Sequence, residues 1–137
     1  MKTKQIVAAS AALFLFSCGK GSTDMDFSII PKKGAGIFLL GGDSKVTPPV
    51  EGVFLIDDDK GLIHSIYITD HKYSMLIDSF RLRPGDNFGK LPDTIKESLQ
   101  ADSTSDKLKG DWYKSDLGFS LCVENGKIMG IGISDRN

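Results

Sequence analysis

Cysteine and histidine are scarce here, two of each, and the spacing of the side chains able to act as nucleophiles or metal ligands does not build a reaction centre. Cys122 would need an imidazole beside it to act as a nucleophile, and only His64 and His71 could supply one. Nothing in the chain places either next to it, so a buried and inert thiol is expected. Asp57-Asp58-Asp59 invites a calcium reading, but an EF-hand loop needs glycine at its sixth position and glutamate at its twelfth. Counted from Asp57 those positions hold Leu62 and Ile68, so the run reads as a charged hairpin tip. Gly34-Ala35-Gly36 lacks the Gly-Lys-Ser/Thr continuation of a phosphate-binding loop, and Ser65 and Ser115-Asp116 have no recognisable triad histidine. No glycosidase-type pair stands out among the carboxylates. No catalytic residue, metal or cofactor is therefore expected.

Cys18 carries chemistry of another kind. Lys2 and Lys4 give a positive start, Ile6 to Phe16 an apolar run, and Ser17 a small residue ahead of a cut. The apolar run is too short to span a bilayer, which takes roughly 20 residues. The stretch Leu15-Phe16-Ser17-Cys18 resembles the signal of bacterial lipoproteins. That resemblance implies removal of residues 1–17, acylation of the Cys18 thiol, and a lipid-anchored protein of the cell envelope, at the outer membrane on its periplasmic or surface face. An ordinary secretory peptide with a coincidental cysteine is the competing reading. Residues 18–26, polar and without apolar period, read as the lipidated cysteine and a tether. Loss of residues 1–17 removes two lysines and no acid, taking the formal net charge from −1 to −3. That balance argues against nucleic acid as a partner and against polybasic docking on anionic lipid. Acylation of Cys18 also leaves Cys122 without a disulfide partner.

The elements must come from residues 27–137, enough for one domain. Two segments overlay without a gap: Phe54 to Ile68 and Phe119 to Ile133, with Phe54 on Phe119, Gly61 on Gly126 and Ile66 on Ile131. Each reads as a β-hairpin, one turning at Asp59-Lys60-Gly61 and the other at Asn125-Gly126. Alternation puts Phe54, Ile56, Ile66 and Ile68 inward in the first, and Phe119, Leu121, Val123, Ile131 and Ile133 inward in the second. Leu55, Ile63 and Tyr67 then form an apolar outer face on the first hairpin. Each hairpin has a proline-glycine lead-in, so repeat units of about 27–69 and 77–134 are expected. In the second, Pro92-Asp93 suits a helix start and Leu91, Ile95 and Leu99 make one stripe. The fold class read from this is α+β: an antiparallel sheet of two unequal hairpin repeats with one short helix packed on it.

This pattern resembles the β-lactamase-inhibitor-like fold and the small lipoproteins of outer-membrane assembly. The resemblance implies a non-enzymatic binding, scaffold or inhibitor module that meets an envelope protein. The residues expected to form its contact surface are Leu55, Ile63, Tyr67 and the pair Trp112-Tyr113, since aromatic side chains dominate interface energetics. Against the last, Trp112 could pack on the core with Tyr113 in water. A small envelope hydrolase or metal-dependent enzyme, built on His64 or His71, and a purely structural lipoprotein are the alternative readings.

Overall fold

The computed structural model of the protein describes residues 27–46, 50–102 and 110–135. Cys18, the leader before it and the tether after it lie outside the described residues. Strands β1 (Ile29–Ile30), β2 (Gly34–Ala35) and β3 (Phe38–Leu39) form a small antiparallel sheet. After the hairpin of β4 (Val53–Asp57) and β5 (Ile63–Ile68), the hairpin of β6 (Met75–Ile77) and β7 (Phe80–Leu82) lies against β1. There the Ile29 N–H donates to the Ser74 carbonyl at 2.8 Å, and Ser28 bridges Ser74 in the parallel sense. One helical turn, α1 (Asp93–Glu97), precedes β8 (Leu99–Ala101), β9 (Asp111–Ser115), β10 (Phe119–Glu124) and β11 (Lys127–Ser134). The large sheet has the order β4-β5-β11-β10-β9-β8, antiparallel throughout.

Each layer turns one row of side chains inward. Ile29, Ala35, Phe38, Met75 and Leu82 from the small strands meet Val53, Ile66, Ile68, Leu121, Ile131 and Ile133 from the large sheet in one core. A β-layer with one apolar face is stable only when that face is covered, and here each sheet covers the other.

The expected α+β class is corrected by this architecture, which is mostly β. The helix foreseen on the Leu91-Ile95-Leu99 stripe is one turn of five residues, and Leu99 belongs to β8 instead. So short a helix has little stability of its own. Leu99 to Ala101 gain ladder pairs with Ser115, Lys114 and Tyr113. Ser98 ends the turn, its hydroxyl bonding the Ile95 carbonyl at 2.7 Å and the Ser115 hydroxyl at 2.7 Å. The resemblance to folds with helices packed on a sheet does not extend to this architecture.

One hydrogen-bond pattern occurs twice. Gly41 N–H donates to Ile63, Ile63 N–H to Gly42 and Ser44 N–H to Gly61, at 2.6, 2.8 and 3.2 Å. Gly85 donates to Ile128, Ile128 to Asp86 and Phe88 to Gly126 in the same arrangement, at 2.7, 2.9 and 2.8 Å. Each segment leads into a 3₁₀ turn, Ser44–Val46 and Phe88–Lys90. The second unit differs by carrying α1, β8 and β9 between that turn and its hairpin.

The gapless overlay of the hairpins is off by one residue. β10 and β11 pair Phe119 with Ile133 and Leu121 with Ile131, whereas β4 and β5 pair Val53 with Ile68 and Leu55 with Ile66. The first hairpin therefore holds one more residue in its bend. Asn125-Gly126 closes the second in a tight turn with φ of 54° and 77°, as the primed hairpin turns require. In the first, the Asp58 carboxylate caps a wider bend by accepting from the N–H groups of Lys60 (2.8 Å) and Leu62 (3.0 Å). A one-residue slip turns every side chain of a strand over. Phe54 and Ile56 consequently face out, at 54% and 38% exposure, and Val53 and Leu55 face the core.

Candidate functional site

The outer face of the large sheet holds a row of three aromatic rings. Phe54 on β4 stands opposite Tyr67 on β5, and their ring centroids are 6.2 Å apart. Tyr67 in turn lies 5.4 Å from Trp112 on β9, with the planes at 44°. Between β5 and β9 run β11 and β10, so Tyr67 must reach across two strands. It does so because the outer positions there are small: Gly130 and Gly132 on β11, Ser120 and Cys122 on β10. A β-carbon at Gly130 would fall within the Tyr67 ring itself.

The register shows why one unit supplies the large side chains. Pairing of Ile66 with Ile133 and Ile68 with Ile131 relates the hairpins by a local two-fold through the Tyr67–Gly132 pair. Tyr67 and Gly132 are thus equivalent positions facing each other, and two tyrosines there would collide. By the same relation Phe54 corresponds to Ser120 and Ile56 to Cys122.

Between the rings, the side chains of Tyr67 and Cys122 are hydrogen-bonded, the phenol donating to the sulfur. Burial pushes the Cys122 thiol up, and the Glu124 and Asp111 carboxylates add to that while the Tyr67 bond opposes it. Burial also pushes the Tyr67 hydroxyl up, with the Cys122 sulfur reinforcing the shift. Both groups are neutral at pH 7, and a raised pKa makes the thiol a poor nucleophile. Because both pKa values are higher folded than unfolded, the unfolded chain loses these protons first. Their contribution is complete below pH 9.0 and declines as pH rises through 9.0 and 10.0, the ordinary values. The urea midpoint is expected to fall over this alkaline range, and to fall less in a Cys122→Ala, Tyr67→Phe variant. An unchanged slope in that variant would contradict the upward shifts of the two groups.

The expected contact residues are only partly brought together. Tyr67 and Trp112 are half-buried neighbours on the outer face. Ile63 is 1% exposed and Leu55 packs against the core, so neither belongs to a surface patch, a correction that follows from the register of β4 and the irregularity at Ile56/Asp57. Tyr113 pairs with Leu121 and so faces inward, its ring stacked on Phe88 at 4.9 Å. The reading with Trp112 in the core and Tyr113 in water is therefore inverted. The Trp112 indole N–H is itself buried, with no acceptor among the described residues. Phe54, the most exposed ring of the row, was missed because the overlay placed it in the core.

The residues weighed for catalysis make local contacts. His64 Nδ1 lies 2.8 Å from the Ser65 hydroxyl, which donates to the Ser134 hydroxyl at 3.1 Å. The His71 side chain is 85% exposed, its Nδ1 4.0 Å from Asp70. The Asp57 carboxylate accepts from the Ser44 hydroxyl at 2.8 Å, and Asp58 caps the bend. Among the described residues, no three side chains of metal-binding type converge. What the aromatic face can do is offer apolar and π contact area on a rigid sheet. Comparison with protein-family models, curated proteins and solved structures finds no match to this chain.

Proposed function

We propose that this protein is a lipid-anchored binding module of the bacterial cell envelope, acting by contact with an envelope protein and not by catalysis. The observation that carries this reading is the Phe54–Tyr67–Trp112 row on the open face of the large sheet. An exposed aromatic flanked by half-buried ones suits partner contact, because Phe54 can bury its ring while its neighbours are already ordered. The residues before β1 bear on the same reading: Cys18 would hold the sheet at a membrane by its acyl chains, each buried methylene adding about 0.8 kcal/mol of membrane affinity.

The test is a photo-crosslinking amino acid at Phe54 in the native host, with the same group at exposed Lys96 as control. A discrete adduct of one envelope protein at Phe54, absent at Lys96, is the expected result. Phe54→Ala should then weaken that partner's binding by about 1.5–3 kcal/mol, the range for burying such a side chain, with folding little changed. Absence of any adduct specific to Phe54 would sink the reading.

A further inference from the structure

The second outer surface of the fold, that of the small strands, is apolar where a water-facing row would be polar. The β1–β2 and β2–β3 registers put Ile30, Gly34 and Leu39 on the side away from the core. Leu76 and Arg81, paired across β6 and β7, lie on the same side, since Met75 and Leu82 take the core positions. With β1 and β6 in contact, Leu39, Gly34, Ile30, Leu76 and Arg81 make one row across five strands. At about 4.8 Å per strand it is roughly 20 Å wide. Leu39, Leu76 and Ile30 are 62%, 60% and 47% exposed, and Ile37 in the β2–β3 turn is 52% exposed.

A contiguous exposed apolar row marks a surface that something covers. Its position in the chain identifies the cover. β1 is the first strand among the described residues, and Ile30 lies only twelve positions after Cys18. Even fully extended, that length reaches about 40 Å. A domain held so close to a bilayer meets it at high effective concentration, so a weak face suffices for docking. The rim has matching charge: Arg81 stands at the end of the row, fixed by a 2.9 Å bond from its guanidinium to the Ser74 hydroxyl. Lys32 and Lys33 follow Ile30 in the next turn, and the nearest acid in these hairpins is Asp78, at the β6–β7 turn.

We infer that the Leu39-Ile30-Leu76 row is a membrane-docking face, seated on the interfacial layer of the phospholipid bilayer. The assignment rests on the proposed acylation of Cys18. With a net charge of −1 for the chain and only Arg81, Lys32 and Lys33 at the rim, apolar insertion is the main force and Arg81 meets headgroup phosphate. Docked this way, the aromatic row on the opposite layer points away from the membrane and toward partners.

The test uses the acylated protein extracted from its host. It is reconstituted in phosphatidylethanolamine–phosphatidylglycerol vesicles containing a photoactivatable phospholipid, and adducts are mapped by mass spectrometry. The expected adducts fall on Ile30, Leu39 and Leu76. They are lost in a Leu39→Glu, Leu76→Glu variant that remains acylated and vesicle-bound, and persist in Phe54→Glu. Circular dichroism checks that the variant folds, which the exposure of both leucines favours. An acylated, bound protein with adducts spread evenly or centred on Phe54 overturns the docking face alone. Cross-links between copies through Leu39 would assign the row to self-association and also overturn it. An unacylated mass with the protein in solution overturns the anchor, and the docking face with it.

Discussion

Replacing Gly130 by alanine is expected to destabilise the protein by about 1–3 kcal/mol, the usual cost of forcing extra volume into a packed site. In an exposed strand the same change would be neutral or helpful, because glycine is a poor strand residue. Here the new β-carbon occupies the Tyr67 ring. The ring must leave, taking with it the Trp112 contact and the bond to Cys122. Urea unfolding measures the loss, and the emission of Trp112, the one tryptophan of the chain, reports the displaced ring. In a Tyr67→Ala background the same substitution should cost almost nothing, since the two sites then cease to couple. A Gly130→Ala protein as stable as the parent, with unaltered emission, would refute the packing of Tyr67 across β11.

Ile131→Ala is expected to cost about 2–5 kcal/mol, the range for emptying a buried branched side chain. Ile131 is fully buried and lies between Ile68 and Leu121 on the neighbouring strands. With about 5–15 kcal/mol holding a typical domain together, this single change can leave the chain largely unfolded at 37 °C. Ile56→Ala is the informative contrast. The gapless overlay puts Ile56 in the core, but it is 38% exposed, and its truncation should cost under about 1 kcal/mol. Equal losses at the two positions, measured as denaturant midpoints, would contradict the assignment of faces.

That contrast shows where local sequence stops informing. Both hairpins were legible, because Asn125-Gly126 and the alternating runs beside it are short-range features. The inward set of β10, and Ile66, Ile68, Ile131 and Ile133 on β5 and β11, followed from the same alternation. Ile63 and Ile128 near the bends did not, since the register shifts at Ile56/Asp57 and Cys122/Val123 turn them into the core. The face of β4 did not, since it depends on how many residues the bend at Asp58 holds, and the Asp58 carboxylate widens it by one. The helix failed for a different reason. Leu91, Ile95 and Leu99 satisfy a helical stripe, yet strand pairing of Leu99 with Ser115 is a long-range contact that periodicity cannot see. The small strands were the least legible: two-residue strands such as Gly34–Ala35 and Phe38–Leu39 carry too little pattern to announce themselves. Of the candidate site, Tyr67 and Trp112 were named individually, but their contact depends on small residues at Gly130 and Cys122 in strands between them. Phe54 became visible only once the register was known.

The most direct test of the central claim is the intact mass of the protein extracted from membranes of its native host, beside a Cys18→Ala version. The account predicts a mature chain beginning at Cys18, heavier than its polypeptide by the acyl groups, with both the added mass and the membrane association lost on substitution. An unmodified mass with the protein in the soluble fraction would contradict it, freeing Cys18 and removing the membrane from the function.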